Sequence, residues 1–201
     1  NIYIKEKVII APQPVPNWLA LNKSVIKDND DKTILFYPAA CYPHKKHDFL
    51  LEIETYCKKN ELETTNFEIW LTLTENEFTP LKEICFLKNL GRLDAQQMND
   101  YYRKVDALLF LSSMESYGLP LVEALTINLP IITVEFDYSK WLCEGFAYYF
   151  KPYDEKLFLL ALDKLIYDLS ENRVINYDKA LQKFPKSWDD VVTVFDKALK
   201  T

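Results

Sequence analysis

Apolar residues in this chain follow two alternating rhythms. Short, nearly continuous runs, Thr33 to Tyr37, Phe67 to Leu73, Ile84 to Leu87, Ala107 to Leu111, Ile131 to Val134 and Ala147 to Phe150, are separated by segments in which apolar residues recur every three or four positions. The runs have the length of strands, and their lack of polar alternation predicts burial on both faces, as in parallel sheets. The segments between them read as helices. Asp48 to Lys59 collects Phe49, Leu50, Ile53 and Cys57 on one face, and Asp94 is placed to cap a helix through Val105. Asp154 does the same for a helix bearing Leu157, Phe158, Ala161, Leu165 and Leu169. A short helix near Tyr138 to Cys143 and two closing helices, Glu171 to Phe184 and Trp188 to Leu199, complete the order. Such alternation predicts an α/β fold, a doubly wound parallel sheet with helices on both faces, in one domain.

The most specific chemistry lies where the fourth run hands over to a helix. Glu115-Ser116-Tyr117-Gly118-Leu119-Pro120-Leu121-Val122-Glu123 sets two carboxylates, with seven residues between them, around a Gly-Leu-Pro turn. In open parallel sheets, ligands gather outside the carboxyl ends of strands, where the first amides of the next helix are unpaired and carry the positive end of its dipole. Pro120 suits the first helical turn because its missing N–H would be unpaired there, and Gly118 lets backbone approach a ligand closely. Ionised carboxylates only accept hydrogen bonds, so a ligand rich in hydroxyls, a sugar or a ribose, suits the pair. For an isolated pair the alternative is a solvated Glu115 and a Glu123 in the first turn that offsets the helix dipole, worth at most about 1 kcal/mol.

The pair is not isolated, because the whole segment Ser112 to Leu125 resembles the donor-site signature of family-4 retaining glycosyltransferases. Asn89-Leu90-Gly91-Arg92-Leu93 and Tyr101 to Ala107 are similar to that family's preceding strand and helix. Leu129 to Ile132, Phe146 to Pro152 and Ser187-Trp188 resemble its next two strands and the start of its last helix. The likeness runs from about Val8 to the C-terminus. Enzymes of that family have the GT-B architecture, two Rossmann-like domains facing each other across a cleft, the first holding the acceptor and the second the nucleotide-sugar donor. The resemblance implies that this chain is the second, the Rossmann-like C-terminal half. Lys7 to Pro16 looks like the family's crossover strand and proline-rich linker. Residues 1–32 are therefore expected to hold strand and linker, 33–184 the core and 185–201 a terminal crossover helix, with the N-terminal acceptor domain absent from this fragment.

The resemblance also implies roles. Glu115 would hydrogen-bond hydroxyls of the donor sugar and Glu123 the ribose, while amides around Ser116, Tyr117, Gly118 and Leu119 hold the diphosphate and Asn89 and Leu90 lie near the base. Pro43-His44-Lys45-Lys46-His47 follows the first core strand, where a diphosphate needs countercharge, and Lys45 matches the family's lysine. Six residues earlier the family often has an arginine, and here that position is Ala39; Lys46, Arg92 or backbone amides are candidates to compensate. Retention in the family is attributed to same-face attack assisted by the leaving phosphate, so no protein nucleophile is required. The implied function is transfer of a hexose from a nucleotide diphosphate sugar to a glycan or lipid-linked acceptor in surface polysaccharide synthesis. The chain alone is expected to be inactive, and Ala39 keeps open a non-catalytic nucleotide-sugar-binding or interaction domain of the same fold.

Composition narrows the partners. With 201 residues, 49% of them hydrophobic, the chain can bury a sizeable core. A net charge of −6 argues against nucleic acid. No run has the length of a membrane span and the N-terminal stretch is no signal peptide, which predicts a cytoplasmic protein, with peripheral membrane association open only to the full-length enzyme. Cys41, Cys57, Cys85 and Cys143 show no paired spacing, and three of them fall in segments that read as buried, which fits reduced thiols. His44 and His47 lack the further ligands zinc needs, and Asp28-Asn29-Asp30, although of D-x-D form, reads as a solvated loop. No metal or cofactor is expected beyond the nucleotide sugar as co-substrate. Three glycines in all leave no material for a Walker or G-x-G-x-x-G loop.

Overall fold

The computed structural model describes residues 12–15, 19, 32–173 and 176–200. The crossover strand expected around Lys7 to Ile10 and the Asp28-Asn29-Asp30 loop lie outside these residues. Six parallel strands, β1 (Thr33–Tyr37), β2 (Phe67–Leu71), β3 (Leu87–Asn89), β4 (Ala107–Phe110), β5 (Ile131–Val134) and β6 (Tyr148–Phe150), form one sheet in the order β3-β2-β1-β4-β5-β6. The helices are α1 (Phe49–Lys59), α2 (Glu75–Phe78), α3 (Ala95–Lys104), α4 (Leu119–Thr126), α5 (Asp137–Cys143), α6 (Glu155–Ser170), α7 (Asp178–Leu181) and α8 (Trp188–Leu199). The α/β, doubly wound expectation is met.

Strand alternation sorts the core into two layers. Leu35, Tyr37, Ile69, Leu71, Leu109 and Val134 point to the face covered by Phe49 and Ile53 of α1 and Phe158 and Leu162 of α6. Phe36, Trp70, Leu108, Phe110 and Ile131 point to the other, covered by Tyr102 of α3, Leu121 and Leu125 of α4 and Leu142 of α5. Asp94 and Asp154 cap α3 and α6 as expected, each accepting a hydrogen bond from a first-turn amide.

Three expectations need correction. β3 begins at Leu87, not Ile84, because Ile84 and Phe86 are buried from a turn; their apolar character reports burial and not extended backbone. Cys85, within that turn, is consequently exposed, and so is Cys41, leaving Cys57 and Cys143 as the buried pair. No helix runs from Glu171 to Phe184: α6 ends at Ser170, Asn172 takes a left-handed conformation (φ 52°), and among the described residues of that stretch only Asp178–Leu181 is helical. Asn is well suited to that position past a helix end.

Among the described residues no helix is long and apolar enough to cross a membrane. Helix α8 is amphipathic in an unusual sense. Val191 is buried, but Trp188 (63% exposed), Val192, Phe195 and Leu199 form an open apolar stripe, so Trp188 does not anchor the helix to the core.

Candidate active site at the switch point of the sheet

In the strand order β3-β2-β1-β4-β5-β6 the chain leaves β1 toward one edge of the sheet and β4 toward the other. Their following loops therefore diverge and leave a crevice above the paired ends of β1 and β4, the usual ligand position in doubly wound sheets. Both strongest sequence candidates belong to these two loops. Lys45 ends a one-turn 3-10 helix, Pro43–Lys45, after β1, and Glu115 lies in the loop between β4 and α4. The structure brings them together: the Lys45 ammonium donates to Glu115 Oε1 across the crevice. Both side chains are largely withdrawn from water, 16% and 11% exposed.

The loops are stitched below this ion pair. The Ser113 amide donates to the His44 carbonyl at 2.7 Å, and the Ser112 and Ser113 hydroxyls reach the same oxygen at 3.3 and 3.2 Å. Three tyrosine hydroxyls complete the frame: Tyr37 donates to the Lys45 carbonyl, Tyr138 to that of Ser112 and, at 3.3 Å, Tyr153 to that of Leu111. Burial pushes all three phenols up, with the Glu115 carboxylate adding to the effect at Tyr37 and Tyr138. Sequence reasoning gave these three tyrosines no role; the available signal was a hydroxyl at positions where Phe would fill the same space, since a buried phenol needs a partner.

Helix α4 opens with Gly118 at its N-cap, in a left-handed conformation (φ 81°, ψ 47°) and without a side-chain cap, and Pro120 lies in its first turn. Pro120 has no N–H and the Leu121 and Val122 amides already donate to the Gly118 carbonyl, at 3.0 and 3.3 Å, which leaves the Leu119 amide as the first-turn donor without an intrahelical partner. A Cβ on Gly118 would lie 3.0 Å from Leu142 Cδ1 of α5. Gly118→Ala is expected to cost about 2 kcal/mol, the sum of left-handed strain and crowding, and to lower the denaturation midpoint accordingly. An unchanged midpoint would show that this turn is free to relax.

Glu123 does not sit in the first turn. With Gly118 as the cap it falls in the second, 8% exposed, and one carboxylate oxygen accepts from the Tyr102 hydroxyl of α3 at 2.7 Å. Burial raises its pKa, opposed by the Tyr102 hydrogen bond. A solvated charge offsetting the helix dipole is therefore the wrong description of Glu123. Tyr117 is also committed: its hydroxyl donates to the Gln13 carbonyl at 2.7 Å and its ring meets Phe184 edge-on, tying the proline-rich segment to the motif. Ser116 and Leu119 are exposed at the rim.

Asn89 ends β3 and Leu90 follows it, on the same side of the sheet as the crevice. The Asn89 amide closes a two-way bridge with Leu73, accepting from its N–H and donating to its carbonyl, both at 3.0 Å. Leu90 continues the ladder through its N–H to the Leu71 carbonyl at 2.8 Å. Ala39 is buried in the core. Of the candidate compensating cations, Lys46 lies 5.2 Å from the Tyr153 ring centroid and 3.6 Å from Asp48, and Arg92 pairs with Glu77 at 3.1 Å. Among the described residues no group of three His, Cys, Asp or Glu is placed to hold a metal ion.

Comparison with known proteins gives this geometry a family. No curated protein matches the sequence. Among solved structures, sucrose-phosphate synthase from Thermosynechococcus elongatus superimposes with a TM-score of 0.65 at 14% identity, over 85% of this chain and 45% of that one. The lipopolysaccharide outer core galactosyltransferase WaaB, in its apo form, gives 0.64 at 14% identity over 96% of this chain and 55% of its own. Anabaena HepE, in complex with UDP and glucose, gives 0.62 at 16% identity over 85% and 48%. The chain thus spans about half the length of these structures, and at such identities the likeness establishes the fold alone, a Rossmann-like α/β domain of the GT-B type. The family model for glycosyl transferases group 1 matches residues 21–181, most of the chain. This chain belongs to the group 1 glycosyl transferases.

Proposed function

We propose that this chain is the donor-binding half of a retaining glycosyltransferase, and that its switch-point crevice binds a nucleotide diphosphate sugar from which a hexose passes to a glycan or lipid-linked acceptor in surface polysaccharide synthesis. The observation that carries this reading is the Lys45–Glu115 pair across the crevice. A cation for phosphate and an acceptor for sugar hydroxyls stand side by side, each holding the other's charge until a ligand offers both groups new partners. Lys45 and the amides around Ser116 to Leu119 stabilise charge on the leaving diphosphate without a metal. Glu115 orients the sugar through its hydroxyls. Glu123 accepts from the ribose, its carboxylate aimed by Tyr102. Asn89 and Leu90 border the base, Asn89 by holding the loop on Leu73. The acceptor, and the remaining catalytic groups, belong to a second domain, and the open stripe Trp188, Val192, Phe195 and Leu199 of α8 is the surface that suits packing against it.

A thermal-shift screen against UDP-sugars, GDP-sugars and ADP-glucose tests the reading. A donor at a hundred times its dissociation constant adds about 2.7 kcal/mol, which corresponds to roughly 5 to 10 °C for a chain of this size. No shift with any nucleotide sugar counts against it.

The ribose assignment has its own test. Glu123→Gln keeps an oxygen for Tyr102 but loses the charge, and it is expected to weaken nucleoside diphosphate binding by roughly 1 to 2 kcal/mol. Equal affinity in the Gln variant removes Glu123 from the ribose.

A further inference from the structure

Lys45 stands on a turn that has no core side chain of its own to fix it. The 3-10 helix Pro43–Lys45 contains no buried residue, so the ammonium keeps its place through what grips the turn from below. One grip is the Tyr37 hydroxyl on the Lys45 carbonyl. Tyr37 ends β1 with its side chain wholly buried, and its ring is flanked by that of His47, the two stacked with centroids 4.9 Å apart at 29°. Lys46, between Lys45 and His47, is left-handed (φ 56°, ψ 41°), and so ends the turn and brings His47 back onto Tyr37. That conformation is uncommon for a side chain other than Gly, Asn or Asp and persists only where the surroundings hold it.

His47 is 6% exposed, and among the described residues neither ring nitrogen has a hydrogen-bond partner. Leaving buried polar atoms unpaired is costly, so the ring is held by shape and stacking alone, at a place where the fold tolerates that cost. We propose that His47 is a positioning residue for Lys45, a wedge that fixes the Tyr37 ring and through its hydroxyl sets the height of the turn from which Lys45 reaches into the crevice. The proposal rests on the donor-site reading above, in which Lys45 meets the diphosphate.

A double-mutant cycle on the 201-residue chain, titrated with UDP, GDP and ADP, separates the possibilities. Lys45→Ala is expected to lower affinity for the bound nucleotide by about tenfold, the share of one charge-assisted hydrogen bond. His47→Ala is expected to lower it to a similar degree by itself and to add nothing in the Lys45→Ala background, while His47→Phe, which keeps a stacking ring, restores most of the affinity. Hydrogen exchange supplies a readout that needs no ligand. The Ser113 amide, bound to the His44 carbonyl of the same turn, should lose protection in His47→Ala and keep it in His47→Phe. Equal losses from His47→Ala with and without Lys45, or unchanged Ser113 protection, overturn the positioning role and leave the donor site standing. An affinity untouched by Lys45→Ala overturns the donor-site reading, and the positioning role with it.

Discussion

Glu115→Ala, assayed in the complete enzyme that the proposed function implies, should lower kcat/KM for transfer on the order of 30- to 1,000-fold. The estimate assumes that the carboxylate makes one or two charge-assisted hydrogen bonds to sugar hydroxyls, together about 2 to 4 kcal/mol. Affinity for the free nucleoside diphosphate should not fall and is expected to rise, because Glu115 occupies the Lys45 ammonium in the ligand-free chain and its removal frees that cation for phosphate. Lys45→Ala should behave in the opposite way, weakening diphosphate binding and making whatever remains less sensitive to added salt, since one ionic contact has gone. It also leaves the Glu115 carboxylate, 11% exposed, without its counterion, so a loss of stability should accompany it. Parallel losses of transfer and nucleotide affinity in both variants would contradict this division of labour.

Acid should destabilise the chain through His47. Burial lowers the His47 pKa from 6.5 to about 4, against the opposing pull of the Glu77 and Asp48 carboxylates and with the Lys45 ammonium adding to the depression. The folded state therefore binds fewer protons than the unfolded state between these values, and stability falls as pH drops from 6.5 toward 4. At about 1.36 kcal/mol per pH unit the full effect is about 3 kcal/mol, most of it present by pH 4.5. Glu123, whose pKa is raised by burial, pulls the other way, but it does so equally in a His47→Phe variant. Urea denaturation at pH 7.5 and pH 4.5 should show the parent losing more stability on acidification than His47→Phe. Equal losses in the two proteins would mean that His47 is hydrated or partnered in solution.

Strands and motif were legible in the sequence for the same reason: each has a local cause. β1 and β5 coincide with apolar runs because a strand covered on both faces lacks the polar alternation that would blur its pattern. The Gly-Leu-Pro turn announces a helix start through backbone chemistry that no tertiary contact is needed to explain. The misplaced pieces have non-local causes. Ile84 and Phe86 are apolar because the turn before β3 packs on the core, and the stretch after α6 fails to continue as a helix because Tyr177 and Ala180 are pulled into the core beside α4 and α5. The site was legible as residues and not as an arrangement. Lys45 and Glu115 are seventy positions apart in sequence, and their contact follows from strand order alone, which puts β4 beside β1. The hydroxyls of Tyr37, Tyr102 and Tyr138 act across elements, where periodicity carries no information about their partners.

In the proposed function one ligand lies between Lys45 and Glu115 at the switch point of the sheet. Backbone amide shifts of the isotope-labelled chain, followed during titration with the nucleotide sugar that stabilises it most, test this directly. Saturable changes concentrated in His44 to His47 and Glu115 to Leu119 are expected, with the same pattern minus the Glu115 end for the nucleoside diphosphate alone. Changes confined to any other part of the chain, or none at all with any nucleotide sugar, would contradict it.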